Sequence, residues 1–476
     1  MHVFAKIIFV VVGYSIHMYL GKTLAPIVYG QIGVIMSIIN INYNFLSNGA
    51  RQAASHLIAI HKFNEKDLII KSYKYQMLIA FGLSTINYSG AGLISQILNH
   101  PELKLHIQIT SIIIPFTALY FISIGILNGY KILVIEALSA IFYAIARLSL
   151  IPFVKMFPDS AMGAILGFFV AAVAGCIVGH FGILKNVKLS YNITTKIDNR
   201  DYSRQIIDFL SFFFCITILL NMDMLFVNAM VHDGNQIGYY TGASNFSKVS
   251  YYLLSAIYLV ALPIVTTQYS EKNVDGCKKT INNLFVIITG FILPIVTIAG
   301  PICENLMEVF YTTEYRAAGL ATEMLMISQF FLGLFVIINI LICSTKEKKF
   351  SILLGSGCVI IDAILCYFLI PMYAIQGAAL ASLLTNILGA IVSIRKLIQV
   401  YGKIWSQELF KIIGMNIIIF IIMTCFNAFW RSDNFIHVLM VCGVSYCSFV
   451  ILMVVLRLIK PNEIIRLFAL KSKLNS

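Results

Sequence analysis

The sequence predicts an all-α polytopic membrane protein with 14 transmembrane helices, arranged as two six-helix bundles plus two C-terminal helices. Of its 476 residues, 59% are hydrophobic and only 12% are charged, about half the charged share of soluble domains. The mean hydropathy of +0.88 leaves too few polar residues to cover a soluble fold of this length. Fourteen apolar runs of bilayer-spanning length follow one another along the chain. Soluble, disordered and fibrous proteins are thereby excluded.

The apolar runs account for about two thirds of the chain at about 22 residues each. The first run follows Lys6 without a small-x-small cleavage site, so we interpret it as an uncleaved helix rather than a signal peptide. The predicted spans are 3–21, 29–50, 76–98, 106–129, 133–154, 162–184, 206–230, 238–264, 281–302, 319–343, 350–370, 377–395, 412–430 and 436–456.

The basic residues predict the orientation, because short cytoplasmic loops collect Lys and Arg. With the N-terminus inside, 27 of the 34 Lys and Arg residues lie on or near the inner side. Only Lys22, Lys104, Lys155, Arg316 and Arg431 fall in outer loops. Both termini are therefore expected in the cytoplasm. This bias also accounts for the net charge of +13, which is then no sign of nucleic-acid binding.

The longest hydrophilic stretch, 185–205, predicts a cytoplasmic linker between two halves of the chain. The predicted domains are a six-helix bundle at 1–184, a second at 206–395, and helices 13 and 14 with the tail at 396–476. Two turns are weakly alike, "LAPIVYGQIGVIMSI" and "VHDGNQIGYYTGASNF". Internal similarity between two halves is typical of alternating-access carriers.

Catalytic and metal motifs do not occur in the sequence. The ten cysteines lie singly and almost all within spans, so we expect neither disulfides nor a zinc site. There is no GxxxxGK[ST], HExxH or GxSxG pattern, and no outer loop is long enough for a catalytic domain. We therefore predict a protein that is not an enzyme and has no catalytic or metal-binding residues.

Several segments carry a family resemblance. They are "LAPIVYGQIG", "SNGARQAAS", "NMDMLF", "IGYYTGASNFSKVSYYLLSAIYLVALPIVT" and "VFYTTEYRAAGLATEMLMISQF". With the 6+6+2 arrangement, they resemble the Wzx-type polysaccharide flippases of the MOP superfamily, which is related to the MATE exporters and the lipid II flippase. The resemblance implies a MATE/MOP-like fold in the bacterial inner membrane. It also implies an undecaprenyl-pyrophosphate-linked O-antigen or capsule repeat unit as substrate.

Charged side chains inside the hydrocarbon layer are costly and normally face a cavity or a partner, so the few present are the candidate site. The predicted pyrophosphate- and sugar-binding residues are Arg51, Arg147, Lys248 and His17, and the candidates for H⁺ or Na⁺ coupling are Asp223 and Asp362. Arg binds a pyrophosphate through bidentate hydrogen bonds, whereas Lys acts as a point charge.

Each of these residues also has a structural alternative. For Lys248 the alternative is an ion pair with Asp223 or Asp362, and for Arg147 it is a pair with Glu136 along the same helix. For Arg51 the alternative is a side chain that extends to the inner headgroups. For His17 it is a neutral, hydrogen-bonded side chain.

The predicted function is a flippase that moves the lipid-linked oligosaccharide from the cytoplasmic to the outer leaflet by alternating access. It would need no cofactor beyond a coupling ion. Its partners would be the glycan, membrane lipids and other membrane proteins of glycan assembly, with no nucleic acid. A MATE-like cation-coupled exporter is the first alternative, but it favours twelve helices and an acidic site. A glycan polymerase is the second, but it favours a large outer loop with Arg or His.

Overall fold

The computed structural model describes residues 2–187, 195–271, 273–343, 347–402 and 404–458. All regular secondary structure in these ranges is helical, which confirms the predicted fold class. Ten helices within them are long and apolar enough to cross a membrane, and one, Lys349–Tyr401, has 53 residues, enough for two crossings. Part of the predicted linker, 188–194, and the tail after 458 lie outside the described residues.

The chain divides into two compact units, Met1–Thr241 and Gly242–Ser476. The division into six-helix bundles at 184, 205 and 395 stays a prediction.

The first unit is built of helices of different lengths, and the last of them continues into the second unit. The helices are α1 (His2–Thr23), α2 (Pro26–Asn48), α3 (Ala50–Ile60), α4 (Glu65–Ile97), α5 (Leu103–Gly129), α6 (Leu133–Ala146), α7 (Leu150–Met156), α8 (Ser160–Asn186), α9 (Asn199–Leu219), α10 (Met222–Met230) and α11 (Gly234–Ser247). A 3₁₀ turn, Arg147–Ser149, joins α6 to α7.

An apolar cluster at the predicted inner end of this unit holds the end of the linker in place. Ile197 is 3% exposed and packs with α3, α4, α5 and α9. The backbone N–H of Asn64 donates to the carbonyl of Thr195 at 2.8 Å, and Tyr202 donates its hydroxyl to Ser72 at 2.9 Å. The last part of the linker is therefore a packed element of the first unit.

Glycines bring α2 and the start of α11 into backbone contact. A Cβ on Gly238 would lie 2.0 Å from the carbonyl oxygen of Pro26, and one on Gly33 would lie 2.3 Å from a methyl of Thr241. The two weakly similar turns of the sequence thus pack directly against each other, and only glycine permits that approach.

The second unit contains the remaining helices. They are α12 (Val249–Ser270), α13 (Val274–Ile287), α14 (Leu293–Ala299), α15 (Cys303–Phe310), α16 (Gly319–Cys343), α17 (Lys348–Tyr401), α18 (Gln407–Phe429) and α19 (Phe435–Val455).

Two of these helical runs are distorted next to prolines. A π-helical turn, Ile288–Ile292, precedes Pro294, which has no N–H for the carbonyl four residues earlier. Helix α17 bends at Ala374, where φ is +48°, three residues after Pro371. A Cβ on Gly377 would lie 2.1 Å from the carbonyl of Leu369, so this glycine lets the two halves of α17, the predicted spans 11 and 12, approach each other.

Candidate functional site

Four of the six predicted charged residues lie at or beside interruptions in helices. Arg51 is the second residue of α3, after the break at Gly49, and Arg147 begins the 3₁₀ turn between α6 and α7. Asp223 is the second residue of α10, and Lys248 is the single residue between α11 and α12. In transporters, substrates and ions bind where membrane helices are discontinuous, because the freed backbone groups and helix ends are available there. The predicted spans 133–154, 206–230 and 238–264 run without a break through Arg147, Asp223 and Lys248.

Arg147 lies between two aromatic rings of the first unit and is only 9% exposed. Its guanidinium carbon is 5.1 Å from the ring centroid of Phe168 and 5.6 Å from that of Phe9. Its Nε has no hydrogen-bond partner, and it forms no ion pair with any described residue. Two cation–π contacts contribute about 1–4 kcal/mol, whereas burying a charge costs several kcal/mol. The site therefore still favours an anion.

The structural alternative for Arg147, a pair with Glu136, is not formed between these two described residues. Glu136 lies near the start of α6 and accepts a hydrogen bond from Nδ2 of Asn128 at 3.3 Å. This leaves the charge of Arg147 without a carboxylate among the described residues.

Arg51 is half-buried at the first turn of α3. Its Nη1 donates to the carbonyl of Ser47 at 3.4 Å, and its guanidinium carbon is 6.0 Å from the ring centroid of Phe121. Gly125 fixes this position, since a Cβ there would lie 2.6 Å from the carbonyl oxygen of Arg51. Arg51 is thus held in the first unit against α5.

A run of four rings, which we call the aromatic chain, connects the two arginines. In order from Arg51 to Arg147, its members are Phe121, Tyr43, Tyr143 and Phe9. Consecutive ring centroids are 4.4, 6.1 and 6.4 Å apart, within the range of favourable aromatic contacts. These rings were not predicted from the sequence, because no spacing rule links residues on four different helices.

A small cavity of about 20 Å³ lies beside the aromatic chain, large enough for a water molecule. Its polar lining comes from Asn42, Thr110, Thr117 and the two tyrosines of the aromatic chain, and Phe168 belongs to its apolar lining. The ring that carries Arg147 thus also borders a polar cavity.

His17 is 9% exposed and is hydrogen-bonded through Nδ1 to the hydroxyl of Tyr29 at 3.0 Å. This is the hydrogen-bonded arrangement of the structural alternative. His17 nevertheless lies one helical turn from Gly13, whose Cβ position is 3.9 Å from the guanidinium of Arg147. The structure therefore brings His17 and Arg147 to the same part of the first unit.

Asp223 is buried at the start of α10. It accepts a hydrogen bond from the hydroxyl of Tyr240 at 2.7 Å and another from the N–H of Met224 at 2.8 Å. A carboxylate in the first turn also interacts favourably with the helix dipole. These contacts connect α10 to α11, and a role for Asp223 in ion coupling stays a prediction.

Lys248 and Asp362 belong to the second unit and are 7% and 1% exposed. Asp362 lies within the first half of α17. Their roles in substrate binding and ion coupling also stay predictions.

The comparisons with known proteins agree with this fold. The structure resembles "Lipid II flippase MurJ, inward closed conformation" with a TM-score of 0.73 at 18% identity, covering 94% of this chain and 97% of that chain. It resembles an inward-facing MATE-family multidrug resistance transporter of the MOP superfamily at 0.67 and 12%, covering 83% and 94%. A MOP superfamily transporter from Pyrococcus furiosus gives 0.58 and 14%, covering 84% and 96%.

No curated protein sequence matches the chain. Residues 1–269, more than half of the chain, match the family described as "Polysaccharide biosynthesis protein". This match includes the interrupted helices at Arg51, Arg147, Asp223 and Lys248. The chain is therefore a multi-pass membrane protein with a MOP-type fold, and it belongs to the polysaccharide biosynthesis protein family.

Proposed function

We propose that the chain is a flippase that moves an undecaprenyl-pyrophosphate-linked oligosaccharide, an O-antigen or capsule repeat unit, from the cytoplasmic to the outer leaflet of a bacterial inner membrane. Alternating access is the proposed mechanism, and no catalytic step is required. Family membership supports a glycan substrate. The observation that carries the proposal is Arg147, a buried cation with two ring contacts and no carboxylate among the described residues.

A diphosphate supplies the negative charge and the hydrogen-bond acceptors that Arg147 does not receive from any described carboxylate. A guanidinium binds phosphate oxygens through two parallel charge-assisted hydrogen bonds. In a low-dielectric interior this attraction is several times stronger than in water. The lipid tail can stay in the bilayer while only the headgroup passes the aromatic chain.

A cationic drug is a poor fit to the same position, because it would meet Arg147 with like charge. The positive charge of Arg147 therefore disfavours the MATE-like exporter, although that class shares the fold. Coupling to H⁺ or Na⁺ through Asp223 or Asp362, and contact with other membrane proteins of glycan assembly, remain part of the proposal.

The experiment measures polyprenyl-linked glycans in cells whose only copy of the gene encodes Arg147→Ala. We expect complete repeat units to accumulate in the cytoplasmic leaflet and export to fall about tenfold or more, the scale of losing a buried charge-assisted contact. The leaflet is assigned by access of a membrane-impermeant glycan-modifying enzyme.

Arg431→Ala is the matched control, because it makes the same change at an exposed residue, and it should export normally. Short glycans already facing outwards would instead indicate a polymerase. Unchanged lipid-linked glycans in cells lacking the protein would contradict a flippase and favour export of drugs or metabolites.

A further inference from the structure

A second cation, Lys155, contacts α1, the helix whose Phe9 Arg147 also contacts. Its Nζ is 5.2 Å from the ring centroid of Tyr19, near the predicted outer end of α1. Lys155 is exposed and belongs to the last turn of α7. Both cations of the α6–α7 segment therefore lie over aromatic rings of α1, Arg147 over Phe9 and Lys155 over Tyr19.

The carboxylate closest to Lys155 in sequence is engaged elsewhere. Asp159 accepts hydrogen bonds from the N–H groups of Ala161 and Met162 at the start of α8. Its other oxygen is bonded to Nε2 of His106 at 2.6 Å. Lys155 forms no ion pair with any described residue. The cation is therefore neutralised neither by Asp159 nor by another carboxylate in the described ranges.

The part of the α1 surface that faces Arg147 has no side chain at Gly13. Gly13 lies there, and even a Cβ on it would stay 3.9 Å from the guanidinium. Arg147 and Lys155 are eight residues apart, about 12 Å along a helix. We call Phe9, Gly13, Tyr19, Arg147 and Lys155 together the α1 track.

We propose that the α1 track passes the diphosphate outwards, with Lys155 as a second phosphate-binding position that receives the headgroup after Arg147. This inference rests on the proposed function and assigns it an exit step. Transport requires sites that bind strongly enough to fill and weakly enough to empty. An exposed ammonium holds a phosphate less tightly than a buried guanidinium does, so the order from Arg147 to Lys155 favours release.

The alternative is a lysine that only anchors the protein to phospholipid headgroups, as lysines near helix ends commonly do. The shared chemistry is a phosphate oxygen, and the two sources differ in whether the phosphate is being transported. A transport position must affect the transfer rate whatever the surrounding lipid, whereas an anchor must depend on anionic lipid.

The test uses purified full-length protein in vesicles of phosphatidylcholine, with and without phosphatidylglycerol. The probe is a short-chain polyprenyl diphosphate that carries one fluorescent sugar, and transfer is followed by a membrane-impermeant quencher. For Lys155→Ala we expect transfer about tenfold slower, the scale of one charge-assisted contact, in both lipids and with unchanged probe affinity. Lys155→Arg should restore the rate.

Lys22→Ala is the matched control, because Lys22 is an exposed lysine of the same outer side that lies over no ring in the described structure. Equal rates for Lys155→Ala and Lys22→Ala, or a defect confined to vesicles with phosphatidylglycerol, would overturn the inference while leaving the flippase intact. Failure of the unmodified protein to transfer the probe would overturn the proposed function, and the inference with it.

Discussion

Arg147 owes its position to a proline five residues later. Pro152 has no N–H to donate to the carbonyl of Leu148, so the helix tightens into the 3₁₀ turn that begins at Arg147. The turn places the guanidinium between Phe9 of α1 and Phe168 of α8. A local backbone effect thus creates the buried cation on which the proposed function depends.

Replacing Arg147 with Met should separate stability from transport. Removing a buried charge in favour of an apolar side chain of similar length is often neutral or stabilising, by about 1–4 kcal/mol. We therefore expect Arg147→Met to keep or raise the free energy of unfolding while glycan export is lost. Thermal unfolding in detergent micelles and export in cells provide the two measurements.

The same measurement distinguishes a binding residue from a structural one. If Arg147 served only to hold α1, α6 and α8 together, Arg147→Met would lower the melting temperature. Gly13→Ala provides a comparison at the same place, since its added methyl would make only an ordinary contact with the guanidinium.

The sequence predicts that Arg147 is buried but not what surrounds it. A charged residue within an apolar run can be recognised from the sequence alone. The two rings that contact Arg147 belong to Phe9 and Phe168, which are far from it in the sequence. Their contact depends on how α1 and α8 pack around α6, which hydrophobic periodicity does not encode. The alternative of a pair with Glu136 could not be judged from the sequence for the same reason, because spacing along one helix does not show that Asn128 binds Glu136.

Among the helices, prolines account for some interruptions and serines accompany another. Pro152 and Pro294 each follow a distorted turn, so proline marks those sites in the sequence even though the spans were predicted as continuous. The break at Lys248 has no proline beside it. There Ser247 donates to the carbonyl of Ser244 at 3.0 Å and Ser250 to that of Ser247 at 3.3 Å, and such bonds compete with the helix. Serine spacing is a weaker signal than proline, so the break was not predicted.

Asp159 joins the N-terminal ends of α5 and α8, and its stabilising contribution should depend on pH. Burial raises the pKa of Asp159. The hydrogen bond and charge of His106 and the N–H groups of Met162 and Ala161 lower that pKa by more, so the net pKa lies below its ordinary value. The contribution is therefore present above about pH 4, the unfolded pKa, and is lost as the pH falls through the folded pKa.

We expect Asp159→Asn to lower the free energy of unfolding at pH 7 by less than about 1 kcal/mol, since half of the side chain is exposed. Asn still caps a helix, so the substitution isolates the charge. The difference from the unmodified protein should shrink below about pH 4 in thermal unfolding across that range. A constant difference would assign the effect to the cap, and Asp433→Asn, at an exposed residue, controls for net charge.

At the scale of the whole molecule, composition was enough to predict the fold class correctly, whereas the orientation inferred from the charge bias stays a prediction. Long apolar runs, and a Lys and Arg count of 27 on the predicted inner side against five in the outer loops, are properties that summation along the chain reveals. The packed end of the linker was not predicted, because a hydrophilic average composition conceals the buried side chains of Ile197 and Tyr202. A stretch that is polar on average can still be held firmly by a few buried side chains and hydrogen bonds.

The orientation itself can be tested with single cysteines in a variant without the ten native ones. A cysteine at Lys66 should react only with reagents that enter the cytoplasm, and one at Lys104 should react from outside, because both side chains are exposed and the charge bias puts them on opposite sides. Maleimide labelling of intact and permeabilised cells measures this. Labelling of Lys66→Cys from outside would reverse the topology.

The two rings around Arg147 also have an order in time. A ribosome makes Phe9 first, Arg147 next and Phe168 last, so the guanidinium enters the membrane with one of its two rings present. A bare charge in hydrocarbon is costly. Because the contact between Phe9 and Arg147 lowers this cost, we expect the newly made helices α6 and α7 to stay beside α1 at the insertion machinery until α8 is made. The first eight helices would then enter the bilayer as a single assembly step.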